Sequence, residues 1–185
     1  MRKLTKAILL IIAAGTITAA ALMAPNTLQI FRPFIRSTRR SSSDERDRIR
    51  RALARLRARR LVSVEWKGDE ALLRITAGGR HTLRRIEFEA LMIARPTRWD
   101  GKWRIVAFDI PEKQVKARQA LRWKLEQLGF LRMQRSVFVY PYPCRDEIDF
   151  LKNFFHIEPF VQCFETSDLD HREGSIRKHY GLLKY

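Results

Sequence analysis

The chain has 185 residues, 45% of them hydrophobic, which is enough for one or two small globular cores. Its 37 Lys and Arg against 20 Asp and Glu leave a formal net charge of +17, and the basic residues cluster rather than spread. That balance points to a polyanionic partner, with nucleic acid the first choice. Cys144 and Cys163 have no metal-ligand spacing and read as packed thiols, with no disulfide expected in a cytosolic setting.

At the N-terminus, Arg2, Lys3 and Lys6 precede an apolar stretch, Ala7 to Ala24. Two readings fit it. Basic residues, an apolar run and the small-residue sequence Ala21-Leu22-Met23-Ala24 resemble a secretory signal or anchor. The other reading is a pair of short buried helices, Leu4 to Ala14 and a second from near Thr16 to just before Pro25. The arginine-rich sequence downstream suits the cytoplasm and favours the buried helices. Pro25 to Ser43 is a basic connector holding Arg32, Arg36, Arg39 and Arg40. Ser42 with Glu45 three residues on has capping-box spacing.

The next segment, Ser43 to Arg60, has helical periodicity. Ile49, Ala52, Leu53 and Leu56 form one apolar stripe. Arg48, Arg51, Arg55 and Arg59 line one flank of it, and Arg46, Arg50 and Arg57 the other. Two β-prone runs, Leu61 to Trp66 and Ala71 to Thr76, surround the polar turn Lys67-Gly68-Asp69-Glu70 and predict a hairpin. Gly78-Gly79 reads as a turn into a basic helix, Arg80 to Met92. Two helices, an arginine-rich helix and a hairpin make the element order of a winged helix-turn-helix. In that motif a basic helix enters the major groove and the wing touches the backbone or minor groove. Arg48, Arg51, Arg55 and Arg59 are the expected groove or phosphate contacts, with Lys67 as the wing contact.

Ile93 to Arg98, with Pro96, is the expected linker between a DNA-binding domain (1–92) and a second domain (99–185). The second domain reads strand Trp103 to Asp109, helix Glu112 to Leu128 closed by Gly129, and strands Phe130 to Met133 and Ser136 to Tyr140. A helix Arg145 to Phe155 and a strand Pro159 to Glu165 complete it. That β-α-β-β-α-β order is ferredoxin-like, and the chain as a whole is α+β. The tail, Thr166 to Tyr185, either covers the sheet or extends it.

Three pieces of this second half carry a resemblance. They are Trp99 to Pro111, with its W-D-G-x-W-R opening, then Leu128-Gly129-Phe130, then Gln134 to Pro141. Together they resemble the second CRISPR-associated protein, an adaptation nuclease. They resemble still more the middle domain of PaaX-like transcriptional repressors, which shares that fold. The resemblance implies a homodimeric DNA-binding regulator, cytoplasmic, whose second domain dimerises and whose two winged helices read a palindromic or direct-repeat operator. It also implies a further C-terminal domain and response to an aromatic acyl-CoA. The sequence stops at Tyr185, so no effector response is expected of it.

Asp109, at a strand end before Pro111, is the one sharp candidate for chemistry. The nuclease resemblance makes it a magnesium ligand, paired with its copy across a dimer interface, in a metal-dependent endonuclease or adaptation subunit. A carboxylate suits magnesium, yet two-metal nuclease sites gather several acidic groups. The alternative is that Asp109 caps the following helix. His81, His156, His171 and His179 lack ligand spacing, and no Gly-rich phosphate loop or G-x-S-x-G turn occurs. A binding protein without a cofactor is therefore expected ahead of an enzyme.

Overall fold

The computed structural model describes residues 3–15, 17–22 and 42–182, apart from the side chains of Ser42, Ser43 and Glu45. Most of the basic connector, with Arg32, Arg36, Arg39 and Arg40, lies outside the described residues, as do the side chains of the Ser42/Glu45 capping box. The chain mixes helix and sheet and divides into two compact units, Met1–Glu87 and Phe88–Tyr185. The division falls ahead of the expected linker, and Ile93 is buried in the core of the second unit.

The first unit starts with α1 (Lys3–Ala14), whose Leu4, Ala7, Ile8, Leu9 and Ile12 are buried at helical spacing. They share a core with Ile49, Ala52, Leu53 and Leu56 of α3 (Ser42–Ala58), the stripe expected from the sequence. Ile11 is partly buried against the same cluster. Full burial of such side chains contributes about 1.5–3 kcal/mol each, so this stripe fixes which face of α3 points inward. Among the described residues no helix is long and apolar enough to cross a membrane.

Between those helices the structure differs from the sequence expectation. The β-branched pair Ile17-Thr18 forms a short strand, β1 (Ile17–Thr18), and only then does α2 (Ala19–Leu22) begin. Thr18 Oγ1 accepts the Ala21 N–H (3.0 Å) and so caps α2. β1 pairs with β3 (Glu70–Ile75), and β3 pairs with β2 (Val62–Lys67), giving an antiparallel sheet ordered β1-β3-β2. Helix α3 ends with Arg60 in the left-handed region (φ 54°). There the Leu61 N–H reaches the Leu56 carbonyl and the Arg60 N–H that of Arg57, the paired bonds of a Schellman end.

Gly78-Gly79 is not a turn. Both residues lie in the first turn of α4 (Ala77–Ala90). Thr76 Oγ1 caps that helix by accepting the Gly79 N–H (3.0 Å) while donating to the Arg60 carbonyl (2.7 Å). A Cβ on Gly79 would collide with the Leu61 carbonyl oxygen and lie 2.6 Å from Ile75 Cγ1. The glycine serves close approach rather than chain reversal.

The second unit runs β4 (Trp103–Phe108), α5 (Val115–Gln127), β5 (Leu131–Gln134), β6 (Val137–Tyr140), α6 (Arg145–Phe155) and β7 (Val161–Thr166), with α7 (Glu173–His179) last. Its strands are antiparallel and ordered β5-β6-β4-β7. Gly129 (φ 93°) closes α5 as expected, with the Phe130 N–H on the Leu125 carbonyl. One sheet face, with Val106, Phe108, Phe138 and Tyr140, shares a core with Leu121 and Leu125 of α5 and Ile148 and Leu151 of α6. The tail covers the opposite face rather than extending the sheet. Ile176 of α7 is buried with Trp103, Ile105 and Val139. The Tyr180 hydroxyl accepts the Leu131 N–H (2.8 Å) and lies 2.8 Å from the Val139 carbonyl. Burial raises the pKa of that phenol.

Candidate functional site

Two regions hold the residues singled out from sequence. The first is the α3–hairpin segment. Burial of the Ile49–Leu56 stripe turns the flanks of α3 outward, so Arg51 and Arg55 are exposed and Arg48 is half-buried. Arg59 is exposed one residue past the end of the helix, in the turn that leads to the hairpin. Arg51 is not wholly loose, since its Nε donates to the Asp47 carbonyl (3.2 Å). On the other flank Arg50 makes an exposed ion pair with Asp47 (3.4 Å).

Lys67 is exposed at the last position of β2, opposite Glu70 and beside Gly68, whose φ of 58° makes the reversal. It therefore sits at the hairpin tip, on a different element from the arginines. Sequence reasoning passed over Trp66, which is 72% exposed on the same hairpin. The alternation Val62, Val64, Trp66 was the available signal: the strand outruns the core, and its third apolar residue meets solvent. Arg74 lies across the hairpin from Glu65 in an exposed ion pair (3.2 Å).

The second region is the end of β4. Asp109 is exposed there, and its backbone N–H donates to the Phe160 carbonyl (2.9 Å). It does not cap the next helix, contrary to the capping alternative. Pro111 is extended (φ −64°, ψ 159°) and precedes a 3₁₀ turn, Glu112–Gln114, before α5 starts. Neither helical start has a side-chain cap. Pro111 and the three residues of the 3₁₀ turn stand between Asp109 and α5 and carry its N–H groups away from the carboxylate.

Asp109 instead lines a cleft of about 340 Å³ with Glu112, Arg118, Arg122 and Arg135. Arg118 is held there by Glu112 (2.6 Å) and the Ile110 carbonyl (3.3 Å). Burial first, then repulsion from Arg118, Arg135 and Arg132, lowers the pKa of Arg122. Among the described residues no three His, Cys, Asp or Glu side chains gather as a metal-ligating set. Two carboxylates, one of them paired with Arg118, facing three guanidinium groups fit a divalent cation poorly within a protomer.

The W-D-G-x-W-R sequence proves to be architecture. Asp100 Oδ1 accepts the Lys102 N–H (3.1 Å), Gly101 turns at φ 78°, and the Trp99 indole donates to the Lys102 carbonyl (3.0 Å). Arg104, only 4% exposed, donates to both Asp100 oxygens (2.7 and 2.5 Å) and to the Pro141 carbonyl (2.8 Å). Glu165 lies 3.4 Å away on β7. The Arg104 guanidinium holds the Asp100 carboxyl down at about 2. The Arg177 guanidinium covers Trp99, 4.6 Å from its ring centroid.

Residues 96–177 match the sequence profile of the family described as the PaaX protein central Cas2-like domain. No curated protein matches the chain significantly. The matched range spans the turn that opens β4, the four-stranded sheet and most of α7. Over those residues the chain carries a domain of the PaaX central, Cas2-like type.

Proposed function

We propose that this protein is a cytoplasmic DNA-binding transcriptional regulator of PaaX type. Its first unit acts as a winged helix, and its second, ferredoxin-like unit forms a homodimer. The observation that carries this reading is α3: one face is buried, and exposed arginines flank that face immediately before a two-stranded hairpin. The helix–strand–helix order and the β1-β3-β2 sheet suit a winged helix, with Arg48, Arg51, Arg55 and Arg59 on groove or phosphates and Lys67 on the backbone. A net charge of +17 supports a polyanionic ligand. In the second unit, the β-α-β-β-α-β order and the sheet order β5-β6-β4-β7 support a ferredoxin-like arrangement.

Fluorescence anisotropy with the protein's own upstream DNA, across a salt series, tests this. Log affinity should fall linearly with log salt, by about 0.9 per phosphate neutralised. A specific site should bind on the order of 10³-fold or more tighter than random DNA. Sedimentation at equilibrium should give a dimer. A monomer that binds all DNA alike would end the regulator reading.

A second reading, a metal-dependent nuclease, has one observation in its favour: Asp109 is exposed at the strand end beside three arginines suited to phosphates. That same arginine surround weighs against a cation there, so the regulator is preferred.

A further inference from the structure

The cleft at the end of β4 is built from three separate stretches of the second unit. The end of β4 brings Asp109, whose N–H is fixed on the Phe160 carbonyl (2.9 Å). Helix α5 brings Arg118 and Arg122, which their four-residue spacing places on one face. Arg135 and Ser136 make the turn between β5 and β6. The Ser136 carbonyl accepts the Phe108 N–H (3.0 Å), so that turn is tied to the end of β4. The cleft is therefore shaped by packed elements and an anchored turn.

The positive charge in it is only partly answered. Arg118 is occupied by Glu112 and the Ile110 carbonyl, yet its Nε is buried without a partner. Arg122 Nε is buried and unpartnered too, and its guanidinium lies 5.8 Å from the Phe108 ring centroid. Among the described residues neither Arg122 nor Arg135 makes a hydrogen bond or a close ion pair. Arg122 meets like charge from Arg118, Arg135 and Arg132, offset in part by Glu126. Guanidinium groups gathered in this way gain from an anion placed among them.

We propose that this cleft binds a small sugar phosphate, with its phosphoryl group on Arg118, Arg122 and Arg135 and a hydroxyl on Asp109. A tetrahedral phosphoryl group offers oxygens in several directions, which suits guanidinium groups supplied by α5 and by the β5–β6 turn. A planar carboxylate matches one such fork at a time. An ionised Asp109 can only accept, so the ligand has to present a donor beside its phosphate, as a sugar hydroxyl does. The volume of about 340 Å³ suits a small ligand. The two carboxylates argue against a nucleic-acid backbone. Asp109 and Glu112 are both exposed, and a duplex would carry further phosphates, one charge per about 1.7 Å of axis, past them. The site lies in the other unit from α3 and does not rest on the DNA reading.

Calorimetric titration of the full chain with ribose 5-phosphate, with ribose and inorganic phosphate as parallel ligands, tests the proposal. Ribose 5-phosphate should bind, inorganic phosphate should compete with it, and ribose alone should not bind. Arg122→Gln and Arg135→Gln should each weaken ribose 5-phosphate at least about ten-fold. Arg135 is exposed, so its variant keeps the fold and the test stands even where Arg122→Gln is unstable. Lys116→Gln, exposed on α5 and outside the cleft, should leave the affinity within about two-fold. No binding at about 10 mM ribose 5-phosphate would overturn the proposal. So would an equal loss in Lys116→Gln, which would mean general attraction to a basic chain. Weakened binding of a short DNA duplex in Arg135→Gln, with no binding of ribose 5-phosphate, would give the cleft to a nucleic-acid backbone instead.

Discussion

Arginine does opposite work in the two units, and burial sets the difference. On α3 of the first unit, Arg51 and Arg55 project into solvent from a helix whose inner face is apolar. At the start of β4 in the second unit, Arg104 is buried and bound to Asp100, Glu165 and the Pro141 carbonyl. The first arrangement leaves charge available to a partner. The second uses charge to tie a turn, a central strand and the segment after β6 into one piece. A count of arginines cannot separate these roles; partners and exposure do.

The sharpest way to break the comparison is to remove the buried member. Arg104→Met keeps the stem but leaves the Pro141 carbonyl without its side-chain donor and the Asp100 carboxylate with the Lys102 N–H alone. It should destabilise the full chain by about 3 kcal/mol, read by urea denaturation. DNA affinity per folded molecule should not change. Asp100→Asn probes the same contact by pH. The folded carboxyl sits at about 2 against an ordinary 3.8, so its contribution is complete above about 4 and lost as pH falls toward 2. The stability gap between wild type and Asp100→Asn should therefore close on acidification from pH 5 to pH 2. A gap that stays constant would mean the carboxylate charge contributes nothing there.

Next in size is the packing that presents α3. Gly79→Ala places a methyl against the Leu61 carbonyl, so α4 and the segment after α3 must move apart. The expected cost is about 2 kcal/mol, with Gly78→Ala, where the nearest atom is 3.7 Å from the added Cβ, mild by comparison. Equal effects at both positions would return Gly78-Gly79 to the flexible turn expected from sequence.

The exposed arginines should behave in the reverse manner from Arg104. Arg51→Ala and Arg55→Ala should each cost about 1 kcal/mol of DNA affinity, roughly five-fold, and reduce the salt slope by about one. Stability should change by less than about 0.5 kcal/mol. Unchanged affinity in both variants would take α3 out of the interface.

Much of this was legible because it is periodic. The Ile49–Leu56 stripe, the hairpin around Gly68, and the helix stop at Gly129 all follow from spacing and turn chemistry. What was not legible depends on distant partners. The end of the helix at Arg60 follows from the change of periodicity, but its left-handed geometry, which glycine usually holds, had no local signal. Gly78-Gly79 looked like punctuation because only the tertiary approach of Leu61 reveals Gly79 as a packing residue. Arg104 reads as a break in an apolar strand, and its anchoring role needs Pro141 and Glu165, far off in sequence.

Asp109 offers the smallest effect and the finest test of the comparison, because it is a charged residue with neither burial nor an α-helix cap to define it. Its carboxylate is exposed, and its backbone N–H, which bonds Phe160, survives any substitution except proline. Without a capping bond to lose, Asp109→Ala should change stability by less than about 0.5 kcal/mol, and Asp109→Asn by no more. A cost near 1 kcal/mol in alanine, rescued by asparagine, would restore Asp109 as a helix cap. The cleft it shares with Arg118, Arg122 and Arg135 is cationic on balance once Glu112 is paired with Arg118. Magnesium should therefore elicit no cleavage of DNA or RNA by the purified chain. Reproducible cutting that disappears in Asp109→Asn, with DNA binding retained, would move the functional centre from α3 to the end of β4.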